Sequence, residues 1–135
     1  MELSTSAQLQ TITGENRIME KQAREMTDAE RALLGRFLQN PFPGSEAVAE
    51  QLHNSLVLPI DENGSLDFLI QAGPKAEVHS PVPVEAEAED RDGTTIHMLL
   101  HVIDGTGRGL EVYKEDFSRV IKWPTPSELR IFSPP

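Results

Sequence analysis

The apolar residues of this chain change period once, near His53, and that change fixes the class of fold. Before it they recur at helical spacing. Thr27-Asp28-Ala29-Glu30 fits a capping box, in which Thr27 accepts from the backbone three residues on and Glu30 reaches back. Leu33, Leu34, Phe37 and Leu38 then make one apolar stripe, and Asn40-Pro41 stops the helix. Pro41-Phe42-Pro43-Gly44 reads as a rigid connector. Ser45 is placed to cap a second short helix, with Val48, Ala49 and Leu52 inward and an end near His53-Asn54.

After His53 the period is two. Leu56, Leu58 and Ile60 alternate, and so do Leu66, Phe68 and Ile70. Between them lies Asp61-Glu62-Asn63-Gly64, whose Asn-Gly is a strong hairpin signal because both central residues of that turn take positive φ. Gly73-Pro74 marks another turn. A long alternation follows, with Val78, Ser80, Val82, Val84, Ala86 and Ala88 on one face. Glu77, His79, Pro81, Pro83, Glu85, Glu87 and Glu89 lie on the other. Each proline removes a ladder donor, so this strand is expected at an edge or a bulge. Arg91-Asp92-Gly93 turns the chain into Thr94–Ile103, where Ile96, Met98, Leu100 and Val102 oppose His97, Leu99, His101 and Ile103. Leu110–Tyr113 is a further strand, Phe117 to Ile121 a helical turn, and Leu129–Phe132 a short final strand. Helices grouped before strands predict an α+β fold: two N-terminal helices packed on one face of an antiparallel sheet of about five strands. Strand order is not readable, and hairpin neighbours are the default. Residues 1–23 are polar without a sustained apolar period. They are expected to form a flexible arm, with a short helix over Glu20–Met26, ahead of a single domain at 24–135.

The most motif-like stretch is Asp104–Glu115, DGTGRGLEVYKE. A phosphate loop needs a Gly-rich turn opening a helix, but Leu110-Glu111-Val112-Tyr113 alternates as a strand does. An EF-hand loop wants acids at positions 1, 3, 5 and 12. Asp104 and Glu115 fit the ends, but Thr106 and the cation Arg108 occupy positions 3 and 5. A glycine-permitted hairpin connection accounts for all of these residues. Asp61, Asn63, Ser65 and Asp67 are alternating oxygen-bearing residues, explained more simply by a polar turn than by a cation site.

Charge narrows the function classes. The chain carries a net charge of −10, and residues 44–104 hold all of it, with twelve acids against Lys75 and Arg91. Such a field repels nucleic acid and anionic lipid and steers in a basic partner. There are no cysteines, so disulfides, thiol catalysis and cysteine-ligated metals are excluded. No apolar run approaches the ~20 residues of a membrane span. The N-terminus has no basic-then-apolar pattern, so no signal peptide and a cytoplasmic location are expected.

The candidate site is therefore an acidic, partner-binding one: Glu77, Glu85, Glu87, Glu89, Asp90 and Asp92. Glu85, Glu87 and Glu89 stand about 6.6 Å apart on a strand, a spacing that also suits acid–base work. His97 and His101 share a strand face about 13 Å apart, too far to chelate one ion. No catalytic residue, metal or cofactor is assigned, and no enzyme activity is expected. The alternatives are a small hydrolase or ligand-binding domain using carboxylates with His79, His97 or His101, and a homodimer pairing through the Val78–Glu89 edge.

Three segments resemble a family of small uncharacterised bacterial domains. They are Arg24–Glu30 with the leucines after it, Asp61–Phe68 (DENGSLDF) and Val112–Pro124 (VYKEDFSRVIKWP). The resemblance spans about residues 24–124 and carries no catalytic residue, since the family has no established activity. By analogy it suggests the acidic immunity-type proteins that bacteria encode beside secreted toxins. Phe117 and Trp123 are then expected to pin the tail across the sheet.

Overall fold

The computed structural model describes residues 22–134. The arm expected over 1–23 lies, apart from its last two residues, outside the described residues. Helix α1 spans Asp28–Leu38 and α2 spans Ser45–His53. Six strands follow: β1 Ser55–Pro59, β2 Leu66–Ile70, β3 Val84–Glu89, β4 Thr95–Ile103, β5 Thr106–Lys114 and β6 Arg130–Phe132. They form one antiparallel sheet in the order β1-β2-β5-β4-β3-β6. The α+β class holds, and the short final strand raises the count to six.

Both helices cover one face of the sheet. Leu33, Leu34 and Phe37 of α1 and Val48 and Leu52 of α2 meet Val57, Leu66, Phe68, Ala86, Met98, Leu100 and Val112 in a single core. The capping box forms as its sequence requires. The Glu30 N–H donates to Thr27 Oγ1 at 3.1 Å, and the Thr27 N–H donates to Glu30 Oε1 at 2.9 Å. Such a cap is worth about 1 kcal/mol. Arg24 adds a two-pronged bond to the same carboxylate, 2.9 Å to each oxygen, and this bond foremost lowers the Glu30 pKa.

Several expectations are corrected. Ser45 does not cap α2; the N-cap is Gly44 at φ 92, where a Cβ would crowd the backbone of Glu77. Ala49 is exposed, and its place on the inner face goes to Gln51, 1% exposed. No helix reaches Met26: Arg24 instead forms a bridge to Val57, closed by hydrogen bonds of 2.9 and 2.7 Å. In β1 the core residues are Ser55 and Val57, whereas Leu56 and Leu58 are half-buried on the other face and Ile60 is exposed. The β1–β2 turn is wider than a two-residue hairpin. Gly64 has positive φ but Asn63 does not, and Asp61 Oδ1 organises the loop by accepting from the N–H groups of Asn63 and Ser65.

The Val78–Glu89 alternation is not one edge strand. Residues 75–83 are irregular, and pairing starts at Val84, after both prolines. β3 then lies inside the sheet, between β4 and β6, with Ala86 opposite Met98 on one side and Ile131 on the other. The edge on which a homodimer was expected is thus occupied by the chain's own tail. Phe117 to Ile121 is not a helical turn either.

The DGTGRG stretch is a hairpin. Asp104 and Gly105, at φ 51 and 77, make a two-residue turn with Ile103 opposite Thr106. The remaining glycines belong to β5 itself. A Cβ on Gly109 would stand 2.6 Å from the Leu66 carbonyl oxygen, so only glycine lets β5 lie against β2 there. The β4–β5 register shifts by one between His101 and Val102, so Arg108 is the extra residue of a bulge.

Candidate functional site

Among the described residues, no helix lies on the second face of the sheet. Its side chains come from alternate positions on every strand, and the register brings them into rows. One row runs Arg130, Glu87, His97, Tyr113 across β6, β3, β4 and β5; the next runs Phe132, Glu85, Leu99, Glu111. The bulge at Arg108 decides the β5 contribution. The tight turn alone would place Val112 opposite His97. One extra residue puts Tyr113 there instead, and Glu111 and Glu115 come to the histidine face with it.

The histidines are each matched with carboxylates. His97 Nε2 lies 2.8 Å from Glu115 Oε1, and its Nδ1 lies 3.6 Å from Glu87 Oε2. His101 Nε2 lies 2.9 Å from Glu111 Oε1. The His97 ring stacks on Tyr113 at 5.0 Å and 18°, and Tyr113 stacks on Phe117 at 5.9 Å and 15°. Burial and then the charges of Glu111, Glu85, Glu115 and Glu87 raise the Tyr113 pKa, so four carboxylates bear on that ring. An open depression of about 340 Å³ lies over Gly109, lined by Asp61, Asp67, His101, Arg108 and Glu111. A second, of about 360 Å³, lies beside Phe117 with Asp61 and Glu62.

The six acids singled out in the sequence separate into distinct environments. The side chains of Glu77 and Glu85 make no hydrogen bond or ion pair with another described residue, although the Glu85 backbone is paired within the sheet. Glu89 is held by Arg130 at 2.8 and 3.3 Å, and this bond foremost lowers its pKa; Glu87 lies 3.5 Å from the same guanidinium. Asp92 bonds to the buried Lys114 at 2.7 Å.

Asp90 leaves the face altogether. Its side chain is fully buried, 3.1 Å from Lys114 Nζ, and it accepts from the backbone N–H groups of Arg91, Ile121 and Lys122 at 2.8, 2.6 and 3.0 Å. Burial by itself would raise its pKa. These bonds overturn that and bring it to about 2. Asp90 is a structural anion that ties the tail to the β3–β4 turn. Its signal was hidden because Lys114, its partner, lies 24 residues away and alternates with exposed neighbours.

The other groups of interest are scattered. His79 lies on the irregular stretch before β3, in a depression with Asp104 and Gly105, away from the two β4 histidines. Among the described residues no three His, Asp or Glu side chains are grouped to hold a metal ion, and no helix is long and apolar enough to cross a membrane. The sequence reading missed Glu111, Glu115 and Tyr113 as partners of the histidines. Their alternation was visible, but the bulge that turns them outward was not.

Two of the segments behind the resemblance touch one another. Asn63 Oδ1 accepts from the Val120 N–H at 2.9 Å, and Ser65 Oγ both accepts from and donates to the backbone of Val112. Gly64 leaves room for Trp123, whose Nε1 a Cβ would meet at 2.4 Å. DENGS and VIKWP are thus two sides of one structural contact. Trp123 does pin the tail; Phe117, 82% exposed, does not.

A family model described as a domain of unknown function, DUF6984, matches residues 23–124. That range holds both helices and β1 to β5, and stops short of β6. No curated protein and no solved structure matches the chain.

Proposed function

We propose that this chain, which belongs to the DUF6984 family of domains of unknown function, is a non-enzymatic domain that docks a basic protein on its open sheet face. The observation that carries the reading is the composition of that face. Half-buried Leu99 and Tyr113 lie at its centre, and Glu85, Glu87, Glu111 and Glu115 surround them. An apolar and aromatic centre with a charged rim is the anatomy of a protein interface. The sign of the rim selects a basic partner and disfavours nucleic acid and anionic lipid. The depressions on this face are open, which suits a macromolecular surface better than a small substrate held away from water. The most specific version is a cytoplasmic immunity protein that covers the basic site of a nucleic-acid-cleaving toxin.

The test starts from basic proteins retained by the full chain from its native host. Association with such a partner is expected to slow steeply as salt rises, because steering acts over about a Debye length, some 8–10 Å in ordinary buffer. Replacing Glu85, Glu87 and Glu89 with Gln together is expected to weaken binding by about tenfold or more. A complex indifferent both to salt and to these substitutions would end this reading.

A further inference from the structure

We propose that the His97–Tyr113–Phe117 ladder is the anchor of that interface and receives an arginine side chain of the partner, laid flat on the exposed ring of Phe117. The inference rests on the docking reading above. Three observations support it.

The first is the state of Phe117. Its ring is 82% exposed, yet its backbone sits at φ 62, a region that residues with a Cβ avoid. Backbone strain of this kind persists where the surroundings hold it, and it gathers at functional sites. Here Asp116 Oδ1 clamps the turn, accepting from the Ser118 N–H at 3.0 Å and the Ser118 hydroxyl at 2.6 Å. The Phe117 N–H donates to the Lys114 carbonyl at 2.9 Å. A bulky aromatic is therefore held out into solvent on a turn that asparagine or glycine would fit without strain.

The second is geometry. Three rings rise from the sheet in nearly parallel planes, tilted from one another by 18° and 15°. The last ring has no neighbour on its outer side among the described aromatic side chains. A planar guanidinium extends such a stack and keeps its edge donors for carboxylates, whereas an ammonium is a point charge without a plane.

The third is charge. Glu87 and Glu115 flank the His97 ring, and together with Glu85 and Glu111 they bear on Tyr113. A cation approaching the ladder meets favourable charge before contact, so an arginine fits it and an apolar or acidic anchor does not.

The experiment uses the full chain and two peptides of equal length and charge, one alternating Arg and Gly, the other Lys and Gly. Binding is read by calorimetry at low salt, with aromatic NMR resonances as the site marker. The arginine peptide is expected to bind about threefold or more tightly than the lysine peptide and to shift the ring signals of Phe117 and Tyr113. Phe117→Asn is expected to erase the preference without lowering the unfolding midpoint, and Phe117→Trp to keep it. Equal affinity for the two peptides, or a preference that survives Phe117→Asn, overturns the ladder as anchor. The Glu85→Gln, Glu87→Gln, Glu89→Gln triple variant separates the two readings. Loss of affinity for both peptides alike supports the acidic face. Unchanged affinity for both removes the docking surface itself, and the arginine site with it.

Discussion

The two faces of the sheet use the same alternating strands but treat polar groups in opposite ways. On the helix-covered side the buried side chains of Gln51, Asp90 and Lys114 have fixed sets of partners; among the described residues Trp123 Nε1 is the exception, buried without a partner. Gln51 donates from Nε2 to the carbonyls of Pro74 and Gly105, at 2.6 and 2.9 Å, and accepts from the Gly107 N–H at 2.8 Å. Asp90 is held by Lys114 and three backbone N–H groups. On the open side, carboxylates and histidines make from none to two contacts, as Glu85 and His97 do, and keep part of their surface in water. The difference teaches where charge acts on stability and where it is available to a partner. In low dielectric an unmet polar group is costly, so the inner groups fix the fold. In water an ion pair contributes little, so the outer groups are free to serve recognition.

The largest effect should come from Asp90. Asp90→Ala removes one of the two carboxylates on the buried Lys114 and the acceptor of three backbone N–H groups, and is expected to cost about 3 kcal/mol, read as a lower urea midpoint. A loss under about 0.5 kcal/mol would mean that the buried anion is dispensable. The pH dependence has a defined sign. The Asp90 pKa is depressed to about 2 in the fold, against about 3.9 in an unfolded chain. Its contribution is therefore complete above about pH 4 and drains away as pH falls through 2. Acid titration of wild type and Asp90→Asn should diverge above pH 4 and converge toward pH 2.

Gln51→Leu should follow, at about 2 kcal/mol, since the Pro74 and Gly105 carbonyls and the Gly107 N–H each lose a hydrogen bond, the Gly105 carbonyl keeping the Ala76 N–H. Hydrogen exchange should locate the damage at Ala76 and at Gly105 to Gly107, where α2 is stapled to the β4–β5 turn. Gly109→Ala tests the other use of the inner contacts. Its methyl group collides with the Leu66 carbonyl, so a loss of about 1–3 kcal/mol is expected. A neutral result would show that β5 can move away from β2.

The open face should respond least. Glu115→Gln and Glu111→Gln each remove the negative charge beside a partly exposed histidine and should change stability by under about 1 kcal/mol. If either proves as costly as Gln51→Leu, the contrast between the faces fails. Phe117→Asn sharpens it further. Relief of the left-handed strain, about 1 kcal/mol, should offset the lost stacking on Tyr113 and leave the midpoint unchanged or higher.

Much of the fold was legible because the decisive signals are local. Thr27 to Glu30 carries its capping box within four residues, and Leu33, Leu34 and Phe37 mark a helical stripe with no knowledge of the sheet. Asp104-Gly105 turns β4 into β5 using only its own backbone preference. Less was legible wherever the outcome depended on a distant partner. Leu56 and Leu58 alternate as convincingly as Ser55 and Val57, and only the helices decide which set is buried. Asp90 reads as one more member of an acidic run until Lys114 and the tail reach it.

The sequence alone determined the class of fold, the ends of α1, the β4–β5 turn, and the concentration of acid between residues 44 and 104. Local stereochemistry and charge require no neighbours. Tertiary structure decided three other things: that β3 is covered by β6, that Asp90 serves the interior, and that Glu111, Tyr113 and Glu115 stand beside the histidines. The last depends on one bulged residue, Arg108. A shift of one position exchanges the two faces of a strand, and nothing in the local sequence fixes which register the neighbouring strands will enforce.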